Sequence, residues 1–216
     1  MKDNLGYTKT TFYYYTEGRI NLDRTVELVN KCLTQTGIKK AIVFTANGEG
    51  AYKLKHLIKR KNVEIIAVTF PFKKPFYTKD KEGNKKEFYA DTSNKELCDS
   101  IRQDGIILVQ GVMPLQDIPI PGALHSDTKI QTINSTLSLF SGGLKLCVEA
   151  ILMATDAGYI EQGEEVIAFS ADTAIIATGC RKEWLFHPKE GLEIKEFICK
   201  PRDLSISHKT IEKKDE

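Results

Sequence analysis

The feature that most constrains this chain is an alternation of short, continuously apolar runs with helix-period segments. Ala41–Phe44 (AIVF), Val63–Phe70 (VEIIAVTF) and Ile106–Gln110 are rich in branched residues and too short for helices, so they read as buried strands. Ahead of the first, Leu22, Val26, Val29 and Leu33 recur at three- and four-residue steps from Asn21 to Thr36, where Gly37 closes the pattern. Leu54, Leu57 and Ile58 mark one face of a helix over Tyr52–Lys61, and a further helix covers Asn94–Gln103 before Gly105. The order helix, strand, helix, strand, helix, strand predicts an α/β fold with a largely parallel sheet covered by helices.

Thr11–Tyr15 is aromatic and β-prone, a first strand or an extended lead-in. Pro71–Thr92 is lysine-rich without a period and reads as a surface excursion. Gly111–Ser126 carries Gly111, Pro114, Pro119 and Pro121 and reads as loop. Thr132–Phe140 is a helix candidate, and Ser141-Gly142-Gly143 then opens the apolar helix Leu144–Ala157, ended by Gly158. Glu165–Phe169 and Thr173–Thr178 read as strands paired around a tight connection, and Leu192–Cys199 as the last strand. Residues 1–204 are expected to form one domain, with Ser205–Glu216 a charged, aperiodic tail.

Charge is nearly balanced, 31 Lys+Arg against 29 Asp+Glu, which argues against a general nucleic-acid binder. Cys32, Cys98, Cys147, Cys180 and Cys199 show no CxxC spacing and sit among apolar residues, so they are expected as structural thiols in a reducing compartment. His56, His125, His187 and His208 share no ligand-like spacing with them, and no metal site is expected. The polar start Met1–Thr10 is unlike a signal peptide, and Leu144–Ala157 is short and interrupted by Lys145, Glu149 and Asp156, so no membrane association is expected and a cytoplasmic location follows.

Three constellations carry chemical interest. The first is Thr45-Ala46-Asn47-Gly48-Glu49-Gly50-Ala51, between the strand Ala41–Phe44 and its helix. Such a turn leaves backbone N–H groups at a helix start, where the dipole favours an anion. Gly48 and Gly50 permit close approach, Thr45 and Asn47 add donors, and Lys53, Lys55, His56, Lys59 and Arg60 make the helix cationic. It is neither a Walker loop nor GxGxxG, and a plain strand-to-helix turn with a solvated basic face is the other reading. The second is Ser141-Gly142-Gly143-Leu144-Lys145, either an anion-friendly helix start or close packing of a buried helix. The third is Asp172-Thr173, whose carboxylate could bind ligand hydroxyls or cap its own turn. No hydrolase triad, GxSxG or HExxH is present, and nothing supports phosphoryl transfer.

Phe140–Ile176 (FSGGLKLCVEAILMATDAGYIEQGEEVIAFSADTAII) resembles the stand-alone proteins similar to the C-terminal α/β domain of pyruvate kinase. The matching pieces are Gly143–Glu149, Met153–Gly158, Glu164–Ala168 and Ala171–Ala174. Asn21–Thr36, Ala41–Ala51, Val68-Thr69-Phe70 and Ile194–Cys199 follow in the family's order, so the resemblance spans about Phe12 to Arg202. It implies a three-layer α/β/α fold with a mostly parallel sheet. It also implies phosphate at Thr45–Ala51 and flavin mononucleotide (FMN) as cofactor. Because ligands of open α/β sheets lie beyond the carboxyl ends of strands, the ring is expected over Thr69-Phe70 and Gly111-Val112, with Asp172-Thr173 a candidate for its hydroxyls.

Pyruvate kinase activity is not implied, because the family's catalytic residues lie in a barrel domain outside the resemblance. A flavin-dependent oxidoreductase would draw its chemistry from the cofactor, and no catalytic residue can be named for it. A metabolite-sensing module or a homo-oligomerising structural unit are the alternatives. The chain departs from the family pattern in three places. Phe169-Ser170 runs directly into Ala171-Asp172 without the glycine-rich stretch, Thr16-Glu17-Gly18-Arg19 replaces a proline-glycine turn, and Phe70-Pro71-Phe72 follows the second buried strand.

Overall fold

The computed structural model describes residues 5–60, 62–80, 83–116 and 128–204. Its main sheet has seven strands in the order β1-β9-β8-β7-β2-β3-β6. These are β1 (Phe12–Tyr14), β2 (Lys40–Phe44), β3 (Glu64–Thr69), β6 (Ile107–Gln110), β7 (Glu165–Phe169), β8 (Ala174–Thr178) and β9 (Ile194–Pro201). A separate antiparallel hairpin pairs β4 (Phe76–Lys79) with β5 (Lys85–Phe88). β1–β9, β2–β3, β2–β7 and β3–β6 pair in parallel, while β8 is antiparallel to both of its neighbours. Every strand but β8 therefore ends on the same edge of the main sheet.

The helices are α1 (Leu22–Thr36), α2 (Glu49–Leu57), α3 (Lys95–Gln103), α4 (Thr128–Ser138) and α5 (Gly142–Asp156). Alternation along the strands divides the core. Ala41 and Val43 of β2 and Ile167 and Phe169 of β7 pack with α1, α2 and α3. Ile42, Phe44, Val166 and Ala168 point the other way and pack with α5, which is buried along nearly its whole length. Burial of both strand faces is what erased any polar alternation from the sequence. The architecture is the α/β/α sandwich with a mostly parallel sheet that the resemblance implies.

Some boundaries differ from the sequence reading. α2 begins at Glu49, so Glu49-Gly50-Ala51 form its first helical turn rather than a loop. It ends at Leu57 because Ile58 is extended, at φ −69° and ψ 119°. The excursion 71–92 contains the β4–β5 hairpin, turned by Gly83 at φ 86°. Its residues are almost all exposed, so no apolar stripe marked it. α4 starts at Thr128, earlier than expected, and the Thr132 and Thr136 hydroxyls bond back to the Thr128 and Thr132 carbonyls at 2.8 Å within it. β8 begins one residue later than expected, at Ala174, and β9 runs from Ile194 to Pro201. The expected tail 205–216 and most of the loop 111–126 lie outside the described residues. No described helix is long and apolar enough to cross a membrane.

Candidate functional site

The carboxyl edge of the parallel strands gathers the segments after β1, β2, β3, β6 and β7 together with the start of α5, the place where ligands of open α/β sheets lie. The segment after β2 is organised by its own side chains. Thr45 Oγ1 accepts the Gly48 N–H at 2.9 Å and, at 3.4 Å, the Asn47 N–H, while Asn47 Oδ1 accepts the Glu49 N–H at 3.1 Å. Thr45 N–H itself donates to the Val68 carbonyl at 2.9 Å, tying the turn to β3. The donors that a helix start would offer an anion are thus partly occupied from within.

Both glycines of this turn sit in tight surroundings, and at Gly48 the backbone also demands glycine. Gly48 is left-handed at φ 80°, and a Cβ there would lie 2.9 Å from Ile101 Cδ1. A Cβ on Gly50 would meet Val43 Cγ2 at 3.0 Å. Glu49 pairs with Arg19 and, at 3.3 Å, with Lys53, which also pairs with Asp23. Burial opposes ionisation of Glu49, but these cations hold its carboxyl below the ordinary glutamate value.

Beside the turn a cleft of 190 Å³ is lined by Arg19, Leu22, Val43, Phe44, Thr45, Ala46, Asn47, Glu49, Gly50 and Ala171. It lies between the loops that follow the neighbouring strands β2 and β7. Arg19 and Ala171 were not among the site residues expected from the sequence. Arg19 lies thirty residues before Glu49, and only its position beside the Gly18 turn hinted at a role.

The other expected site residues are placed differently. Asp172 is buried and turned inward, its Oδ2 accepting the Gly18 N–H at 2.7 Å and its Oδ1 the Thr173 hydroxyl at 3.0 Å. Burial raises its carboxyl above the ordinary aspartate value despite these bonds. Thr173 Oγ1 lies 2.9 Å from the Ser141 hydroxyl, so Asp172-Thr173 locks the β1–α1 connection and the start of α5 to the β7–β8 turn. Thr69 is fully buried and shares a 2.6 Å hydroxyl bond with Thr92. Phe70 packs edge-on between Phe44 (4.9 Å) and Phe76 (4.8 Å). Gly111 is half-buried and Val112 is 84% exposed at the end of β6. The structure therefore brings Thr45, Ala46, Asn47, Glu49 and Gly50 together around one cleft and leaves Gly48, Ala51, Thr69, Phe70, Gly111, Val112, Asp172 and Thr173 outside its lining.

At α5, Ser141 caps the helix by accepting the Leu144 N–H at 2.9 Å. A Cβ on Gly143 would fall 2.4 Å from Ser170 Oγ and 2.5 Å from Thr173 Oγ1, so this glycine serves close packing. All five cysteines are buried and free. Burial pushes Cys199 up to about 11 and Cys147 well above the ordinary thiol value, the opposite of an activated nucleophile. Among the described residues no group of three or more His, Cys, Asp or Glu side chains could hold a metal ion.

No protein-family model matches the sequence. Solved structures similar to the chain are of pyruvate kinase from Cryptosporidium parvum. One is 14% identical with a TM-score of 0.36, covering 74% of this chain and 22% of that one. Another, in complex with ADP, is 13% identical with a TM-score of 0.35, covering 82% of this chain and 24% of that one. A third is 15% identical with a TM-score of 0.32 and covers 68% and 20%. The chain spans only between 20% and 24% of the length of these proteins, and likeness at this level says nothing of ligand or activity.

Proposed function

We propose that the protein binds a small phosphate ester in the cleft beside Thr45–Gly50, with the phosphate between the start of α2 and Arg19. The observation that carries this reading is the cleft itself, with a cation on its rim and the positive end of a nine-residue helix against it. Its 190 Å³ falls below the roughly 300–1,000 Å³ of sites that enclose a whole cofactor. Such a cleft suits a phosphate and its first few attached atoms.

FMN is the ester that the sequence resemblance names, and the residues present fit only its phosphate end. Thr69 and Asp172 already spend their polar groups internally, and Phe70 is packed between two rings. Glu49 competes with any phosphate for Arg19, although Lys53 can keep the carboxylate once Arg19 is released. Native mass spectrometry of the purified protein, with thermal shifts in inorganic phosphate and in FMN, tests the reading. A shift with phosphate that Arg19→Ala abolishes supports it. Absence of any shift with phosphate or FMN refutes it. A yellow preparation whose absorbance matches released flavin would extend the ligand beyond the phosphate end.

A further inference from the structure

The near-balance of charge over the whole chain conceals a local excess. Residues 71–90 hold six lysines against Asp80, Glu82 and Glu87, a surplus of three positive charges where the whole chain carries +2. The same stretch holds Phe72, Phe76, Tyr77, Phe88 and Tyr89, and no Leu, Ile, Val or Met. It folds as a turn, closed by a 3.0 Å bond from Lys74 N–H to the Pro71 carbonyl, followed by the β4–β5 hairpin. Cross-strand partners of an antiparallel pair share a face. Phe76 lies opposite Phe88 and Thr78 opposite Lys86 on one face, while Tyr77 with Glu87 and Lys79 with Lys85 occupy the other.

The first face anchors the hairpin. Rings continue from the core outward, Phe44 to Phe70 at 4.9 Å, Phe70 to Phe76 at 4.8 Å and Phe76 to Phe88 at 5.6 Å. Lys74 folds back over this ladder, its ammonium 5.8 Å from the Phe70 centroid and 5.6 Å from that of Phe76. Beyond the anchor the rings are open: Phe72, Tyr77, Phe88 and Tyr89 are each between 45% and 52% exposed. Lysines stand among them, Lys73 Nζ 5.8 Å from the Phe72 centroid and Lys85 Nζ 3.7 Å from that of Tyr77. Among the described residues no carboxylate forms an ion pair with Lys73, Lys79, Lys85 or Lys86. The acids beside them are engaged otherwise, Asp80 Oδ1 accepting the Asn84 N–H at 2.8 Å and Glu87 Oε1 the Tyr89 hydroxyl. Folding alone does not account for so many large rings left in water on one small hairpin.

We propose that this hairpin and the turn before it bind a single-stranded polynucleotide, with phosphates on Lys73, Lys79, Lys85 and Lys86 and bases against the open ring faces. Planar rings interleaved with cations match what a single strand offers. Every base has a π face to stack, and the lysines neutralise the backbone between bases. A duplex keeps its base faces inside its own stack, so these rings gain nothing from it and only the phosphate contacts remain. A cationic aromatic surface also suits an anionic membrane, but a surface that enters lipid draws on aliphatic side chains, and residues 71–90 supply none larger than alanine and proline. The surface is separate from the phosphate cleft, whose lining contains none of these residues.

The test uses the full chain and the fluorescence anisotropy of labelled oligo(U) and oligo(dT) of about twelve nucleotides, with a duplex of equal length and phosphatidylserine vesicles as alternatives. Saturable binding to either oligomer, several-fold tighter than to the duplex, supports the proposal, and the ratio of the two identifies the preferred sugar. Four lysine–phosphate contacts imply a loss of affinity of about fifty-fold between about 50 and about 200 mM salt, which Lys79→Gln combined with Lys86→Gln should reduce to about sevenfold. Tyr77→Ala and Phe72→Ala should each weaken binding about fivefold or more with the salt dependence unchanged, a result that purely ionic contact does not produce. Both side chains are exposed, so an unchanged urea midpoint is expected to show that the fold is intact. Absence of saturable binding at about 50 mM salt overturns the proposal. Equal affinity for the duplex overturns it too, as does affinity that neither ring substitution moves, or binding to the vesicles by a protein that ignores both oligomers.

Discussion

Gly143→Ala is the substitution whose cost the geometry fixes most directly. The added Cβ would meet Ser170 Oγ at 2.4 Å, Thr173 Oγ1 at 2.5 Å and Thr173 Cβ at 2.7 Å, all far inside van der Waals contact. Neither residue can retreat cheaply. Thr173 is held through its hydroxyl by Ser141 at 2.9 Å, and its carbonyl accepts the Ser170 N–H at 2.8 Å. Relief therefore requires the start of α5 to lift from the β7–β8 turn, at an overpacking cost of about 1–3 kcal/mol. Loss of the Ser141–Thr173 bond adds about 1 kcal/mol. Alanine's better helix propensity returns at most about 1 kcal/mol. The net expectation is destabilisation by about 2 kcal/mol, a fall in Tm of roughly 4–8 °C for a chain of this size. Gly50→Ala is the graded comparison. Its closest contact is 3.0 Å, to Val43 Cγ2, so strain and propensity should nearly cancel. Urea and thermal unfolding of both variants provide the assay. A Gly143→Ala protein within about 0.5 kcal/mol of the parent would refute the docking of α5 on this turn.

Three further outcomes are expected. Glu49→Gln removes an anion beside the proposed phosphate and frees Arg19, so phosphate affinity by calorimetry should rise about fivefold at low salt, on the order of 1 kcal/mol, and unchanged affinity would place the phosphate elsewhere. Ser170→Ala removes a buried hydroxyl that has no partner, and should leave stability unchanged or raise it by up to about 1 kcal/mol; a clear loss would mean that the hydroxyl is bonded after all. Burial raises the Glu149 pKa, so the folded chain holds that proton more tightly than the unfolded one. Its contribution is full below the ordinary carboxylate range and is lost as pH rises through the raised value. Glu149→Gln should therefore gain in urea midpoint over the parent from acid toward neutral pH, and a pH-independent difference would contradict this.

The layers were legible in the sequence because the strands buried on both faces are short and continuously apolar, and because α1 carries Leu22, Val26, Val29 and Leu33 on one face, all of them buried. The β4–β5 hairpin was not, since a pair of strands with nearly every residue in solvent carries no burial pattern to detect. The start of α2 was missed for a different reason. Thr45 and Asn47 cap the helix by side-chain bonds that bring Glu49-Gly50-Ala51 into it, and the glycine at position 50 disguised that turn as loop. Arg19 and Ala171 of the cleft lay beyond sequence reasoning because they come from the β1–α1 and β7–β8 connections, joined to the turn only by the fold.

Glycine spacing drew attention to two helix starts, yet at both the glycines answer to neighbouring atoms: Ile101 and Val43 at α2, Ser170 and Thr173 at α5. A glycine that admits a ligand and one that admits a packed side chain are identical as sequence; only the atom opposite the missing Cβ separates them. Unspent bonding capacity is a better guide. On the α2 side, Thr45, Asn47, Thr69, Thr92 and Asp172 have their oxygens engaged within the fold, and what remains is the cleft with its Arg19 rim. On the α5 side, Glu149 Oε2, Asn134 Oδ1 and Ser170 Oγ are buried without partners. Because an unsatisfied buried polar atom costs about 1–3 kcal/mol, the α5 side carries destabilisation that the α2 side avoids. Function is a reason for a fold to retain such a cost, and the α2 cleft, whose polar groups are otherwise engaged, is the place to look for small-ligand binding.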